Sequence, residues 1–223
     1  MLGVPSPTIK RRKRPPGALH RLTFGAALLL AFASCATVIR PPEQPPHPVS
    51  VYLLDYGYHA ALLLPYGDAR FVKYAYGDWS YFALGKTDLW HAFLAIALPT
   101  QGTLGRKEYA ADPSEPWPQK AAVAATVYCL VVDREKADAL RERLEERFIS
   151  RLDTWHPNAT HDLEFVKDAR PYTGCSNCNT VLVEWLEELG CSCSGVGWFA
   201  VFAIEAPGRA TGRSRAGAPP SRP

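Results

Sequence analysis

Thr173-Gly-Cys-Ser-Asn-Cys-Asn-Thr180 runs directly into Val181-Leu-Val-Glu-Trp-Leu-Glu-Glu-Leu-Gly190. In the second half, Leu182, Trp185, Leu186 and Leu189 recur at i, i+3, i+4 and i+7, while Glu184, Glu187 and Glu188 keep to other faces. This period predicts an amphipathic helix with one buried stripe. Asn179 and Thr180 are cap-type residues at its start, and Gly190 is the expected stop. Cys178 therefore falls in the first turn, where unpaired backbone N–H groups and the positive end of the helix dipole favour thiolate over thiol. A nucleophile of this kind still needs a base from elsewhere in the chain.

Outward from this helix, the chain of 223 residues divides into a body and two tails. Residues 1–35 read as a signal peptide. Lys10, Arg11, Arg12, Lys13, Arg14 and Arg21 precede the short apolar run Leu22 to Cys35, which is shorter than a membrane span. Phe32-Ala-Ser-Cys35 resembles a lipobox, with Phe32 where Leu is usual, and makes Cys35 the expected lipidation site. Residues 36–48 form a Pro-rich segment that reads as a stiff tether, and 207–223 a disordered basic tail. Residues 49–206 are left as a single globular domain. Without the six basic residues of the leader and the four of the tail, 15 basic residues face 22 acidic ones, a net charge of −7. An acidic body argues against nucleic acid as a partner. The expected location is the cell envelope, with the membrane reached through the N-terminal lipid.

Within the body, Val49 to Leu54, His59 to Leu64 and Phe71 to Tyr76 read as strands, with Gly77-Asp78 ending the third. Thr87 is placed to cap a helix through Leu98, closed by Pro99. Thr126 to Val132 reads as a buried strand holding Cys129 as a core residue. Asp133 then caps a helix whose stripe is Ala137, Leu140, Leu144, Phe148 and Leu152, and Gly197 to Ile204 is a last strand. Strands first, helices between and a closing strand give an α+β class.

Six histidines are available as a base. His20 is in the leader, His47 in the Pro-rich segment and His91 inside the Thr87 helix. His156 and His161 flank a loop containing Pro157 and Asn158. His59 opens an apolar strand, where its ring must face solvent or meet a partner. Satisfaction by backbone explains it as well as catalysis does.

Tyr56-Gly-Tyr-His-Ala-Ala-Leu-Leu-Leu-Pro65, Tyr74-Ala-Tyr-Gly-Asp-Trp79, Asp88-Leu-Trp90 and Cys178-Asn-Thr before the helix occur in that order. Together they resemble the pattern of a bacterial lipoprotein family of unknown function, the urease-region conserved hypothetical proteins, over residues from about 50 to 205. That family in turn resembles circularly permuted NlpC-type and lecithin-retinol-acyltransferase-type proteins. The resemblance implies a papain-like antiparallel sheet packed with helices, Cys178 as nucleophile and His59 as general base. Lys73 stands where the family pattern has an acid, and an ammonium cannot accept the imidazole N–H. Asp78 is the acceptor that remains, with Asp55 behind it. Tyr58, Tyr76 and Trp79 are the expected walls of a substrate cleft. The implied reaction is acyl transfer on amide or ester bonds of peptidoglycan peptides or lipids, without a cofactor or metal.

The other cysteines offer competing roles. Cys175 and Cys178 form a C-x2-C pair and Cys191 and Cys193 a C-x-C pair, which together suggest zinc. The intervening helix would hold the pairs about 16 Å apart at 1.5 Å per residue. Export instead favours disulfides, for example Cys175 with Cys191 or Cys193, and a Cys175–Cys178 bond would mask the nucleophile. Two function classes follow: a papain-like cysteine hydrolase or acyltransferase, and a non-catalytic envelope lipoprotein that keeps the fold and a binding cleft. A zinc- or disulfide-stabilised domain ranks third.

Overall fold

The computed structural model describes residues 36–67, 70–87, 98–111, 118–122, 125–195 and 200–205. The signal-peptide reading, Cys35, the body of the Thr87 helix with His91, and the tail from Pro207 lie outside these residues. So do residues 196–199 of the last expected strand.

The described chain is α+β. Its main sheet has the order β6-β2-β3-β4-β5-β8-β7, with every neighbouring pair antiparallel. The strands are β2 (Pro48–Asp55), β3 (Ala60–Pro65), β4 (Arg70–Asp78), β5 (Gly102–Ala110), β6 (Thr126–Asp133), β7 (His156–Asn158) and β8 (Leu163–Lys167). A small second sheet has β1 (Thr37–Arg40) at its centre, between β9 (Ser192–Ser194) and β10 (Phe202–Ile204). Two α-helices pack on the main sheet: α1 (Arg134–Ile149) against β2, β3 and β6, and α2 (Cys178–Glu188) against β3 and β4.

The run Ala60-Ala-Leu-Leu-Leu64 is apolar at every position because both faces of β3 are covered. Strand alternation sends Val51, Leu53, Ala60, Leu62, Leu64, Val72, Tyr74 and Tyr76 into the core beneath the helices. Tyr52, Leu54, Ala61, Leu63 and Ala75 go to a second core on the opposite face, joined by Phe82, Tyr109 and Phe165. On the helix side, the expected stripe Leu182, Trp185, Leu186 and Leu189 is buried, as are Ala137, Leu140, Leu144 and Phe148 of α1. Leu152 is not part of that stripe: α1 ends at Ile149 and Leu152 is half-exposed.

Asp133 caps α1 as expected, accepting from the Glu135 N–H at 2.9 Å. The cap of α2 lies earlier than the sequence suggested. Asn177 accepts from the Asn179 and Thr180 N–H groups, and Thr180 Oγ1 accepts from the Asn177 N–H at 2.9 Å. This reciprocal pair fixes Cys178 as the first helical residue. Gly190, at φ +88°, takes the left-handed conformation that ends the helix.

Four further differences from the sequence reading have identifiable causes. Thr37–Arg40, read as tether, is a buried strand, because Thr37 and Ile39 point into the core and Arg40 pairs with Glu205 at 2.6 Å. β4 continues through Gly77 to Asp78, and the turn after it is a short π-helical segment, Trp79–Ala83. β6 is an edge strand with Cys129 exposed, since its free edge and outer face lack cover. β5 and β8 escaped the reading because Gly102, Gly105 and the charged run Arg106-Lys-Glu108 hide the alternation of β5.

Candidate functional site

The structure sends the expected site residues to two places. Cys178, at the start of α2, is almost completely buried. Burial pushes the Cys178 thiol up to about 11, against the Tyr172 hydroxyl and the backbone N–H groups of Asn179, Cys178 and Ala60 nearby, which favour thiolate. Tyr172 stacks on Tyr76 at 5.9 Å between ring centroids, and burial raises its hydroxyl pKa, with the nearby Cys178 and Asp78 adding to the effect.

Asp78 lies near this group without serving it as a base. Its Oδ2 accepts from Thr100 Oγ1 at 2.5 Å, and its Oδ1 accepts from the Tyr81 N–H at 2.7 Å, capping the π-helical turn. Asp55 is likewise engaged in a turn, accepting from the Gly57 N–H at 2.7 Å. Tyr76 is core, with its hydroxyl on the Arg170 carbonyl at 3.1 Å. Trp79 packs near His156 and beneath Lys167.

His59 follows the bend Asp55–Tyr58 and turns the other way. Its ring centroid is 4.5 Å from Phe82, a residue of the second core, and its next ring neighbour is Tyr56 at 6.2 Å. Cys178 lies near the Ala60 N–H and Tyr172, on the helix that packs against β3 and β4, and the His59 ring lies against Phe82. The structure therefore groups Tyr172 with Cys178 and with Asp78, and groups His59 with Phe82 and the cavity walls.

Where His59 goes is a cavity of about 500 Å³. Its walls include Tyr58, Lys73, Phe82, Lys120 and His161. His59 is only 8% exposed, and its Nδ1 has no hydrogen-bond partner among the described residues. Lys73 reaches the cavity because odd-numbered residues of β4 face this side. It is 4% exposed and donates to the Ala121 carbonyl at 3.2 Å, above the Tyr109 ring. Phe82 is wedged between the two histidines, 5.4 Å from His161. A side chain at Gly77 would collide with the Phe82 ring, so glycine is required there.

His161 was passed over as a loop residue. Asn158 fixes that loop: its Nδ2 donates to the Phe82 carbonyl at 2.8 Å, and its Oδ1 accepts from the Thr160 N–H at 2.9 Å. Asp162 follows at φ +51°. Its carboxylate pairs with Lys107 and accepts from Tyr109 Oη at 3.0 Å, and the Lys107 bond holds it below the usual carboxylate range.

Burial dominates the electrostatics. It drives His59 down to about 3, helped by His161 and Lys73, so the ring is neutral at pH 7. It also lowers His161, and brings Lys73 down to about 8 against the partial support of Asp162. Among the described residues, no carboxylate lies within ion-pair distance of Lys73.

The described cysteines Cys129, Cys175, Cys178, Cys191 and Cys193 are all free, and no disulfide joins Cys178 to another described residue. No cluster of potential metal ligands occurs among the described residues. No helix among them is long and apolar enough to cross a membrane. Comparison of the chain with family models, curated proteins and solved structures gives no match.

Proposed function

We propose that this is an exported, lipid-anchored envelope protein that binds a small ligand in the His59 cavity, with Cys178 serving as a packed core residue. The observation that carries the reading is the direction of His59. Its ring lines a cavity with an unpartnered Nδ1, and the Cys178 sulfur lies on the helix side with Tyr172. A concavity with a few convergent polar groups is the usual form of a small-molecule site. The basic leader, the apolar run and the lipobox-like Phe32-Ala-Ser-Cys35 support export and anchoring.

The papain-like hydrolase reading draws support from the helix-capping thiol against an antiparallel sheet and from the donors around its sulfur. It lacks a base, because Tyr172 is itself raised in pKa and Asp78 is committed to Thr100 and Tyr81. Alkylation of the full chain with iodoacetamide, followed site by site with mass spectrometry, separates the two. We expect Cys178 to react more slowly at pH 7 than exposed Cys175, to accelerate only toward pH 11, and to be unaffected by His59→Gln. Fast neutral-pH alkylation that His59→Gln abolishes would establish the dyad instead. Mass measurement of the mature N-terminus checks for lipid on Cys35.

A further inference from the structure

We infer that the cavity selects an anionic ligand, with a carboxylate or phosphate group seated against Lys73 and the two imidazoles. The inference rests on the cavity being the binding site, and it adds the chemical class of the occupant.

Three features of the walls lead to it. First, a buried ammonium without a carboxylate partner is costly, and among the described residues the hydrogen bond of Lys73 is to the Ala121 carbonyl. An anion would fill its two remaining donor positions. Second, the acid nearest the cavity is already used. Asp162, itself in the cavity wall, pairs with Lys107 and accepts from Tyr109, so it gives Lys73 only partial support and repels an anion less than a free carboxylate would. Third, His59 and His161 both line the cavity. A neutral imidazole carries one N–H, which an anionic oxygen can accept.

The remaining groups do not reverse this balance. Lys120 adds positive charge at the mouth, His161 is held neutral by burial, and Tyr56 is pushed up to about 12 and stays protonated. Tyr58, 71% exposed at the rim, and Phe82 inside supply ring faces for a planar ligand body.

A matched set of probes tests the charge. Benzoate, phenyl phosphate and the neutral isostere benzamide are titrated calorimetrically into the full chain in detergent at pH 7. At least one anion should bind ten-fold or more tightly than benzamide, and the stronger of the two identifies carboxylate or phosphate as the preferred group. Lys73→Met should erase the preference of the anions over benzamide. The preference should also weaken as pH rises past 8, because Lys73 loses its proton, with a midpoint above 8 when the anion is bound.

Equal binding of all three probes, or a preference that survives Lys73→Met, overturns the anionic class. In that outcome the cavity reading still stands if Thr160→Trp, which narrows the mouth, blocks benzamide. Failure of all three probes to bind overturns the cavity reading together with the inference.

Discussion

The two faces of the main sheet are made from alternate residues of the same strands, yet they are finished differently. Beneath the helices, Leu62, Tyr74, Leu182 and Trp185 belong to one core, and its buried tyrosines are matched: Tyr74 Oη donates to Glu145 at 2.7 Å and Tyr76 Oη to the Arg170 carbonyl. Across the sheet, His59 and Lys73 are buried in the wall of a cavity. Buried side-chain atoms without a partner among the described residues occur elsewhere too, at Thr37 Oγ1 and Arg141 Nε, but of these only His59 lines the cavity. Buried polar groups without partners cost free energy, and beside a cavity a ligand can complete them. Cys178 belongs to the helix that covers the other face.

The contrast can be broken at graded cost. Trp185→Ala removes a fully buried ring from the helix side and should destabilise by about 3–5 kcal/mol in chemical denaturation. An equally large effect on the cavity side should come from acid. His59 falls from an unfolded value of 6.5 to about 3, so the unfolded chain binds more protons between those pH values. Stability due to its neutral ring is full above 6.5 and lost as pH falls toward 3, on the order of 4 kcal/mol. His59→Gln should flatten that part of the stability profile.

Lys73→Met should act in the opposite direction and raise stability. The wild-type ammonium is penalised below its folded value of about 8, and the penalty disappears as pH rises toward 10.5. Denaturation at pH 7 should show a gain of about 2–3 kcal/mol, shrinking to nothing by pH 10.5. A loss at pH 7 would mean that the cavity side is finished after all, with Lys73 as part of its core. The smallest effect belongs to Tyr58→Ala, which removes an exposed ring and should change stability by less than about 0.5 kcal/mol while weakening ligand binding.

The helices and the first strands of the sheet were readable because their periods are unbroken. The i, i+3, i+4 stripe of α2 and the apolar run of β3 each have one physical solution. Register was also readable in part, since alternation along β4 puts Lys73 and Ala75 on the side opposite Tyr74 and Tyr76. Less legible was the surrounding of His59, because a side chain's direction at a strand end depends on the bend before it. Gly57 at φ +86° sets that bend, and Phe82, admitted by Gly77, holds the ring on the cavity side. His161 was missed because its approach depends on Asn158 stapling a loop to residues 76 positions earlier.

The small sheet carries a consequence for how the chain is made. β1 pairs in parallel with β10, Thr37 against Phe202, and antiparallel with β9. The first strand synthesised therefore waits for the last ones. Until Ser192 to Ile204 have emerged, Thr37–Arg40 has no partner, and closing so long a loop is a late and slow event. A chain arranged in this way stays open at its leading end throughout synthesis.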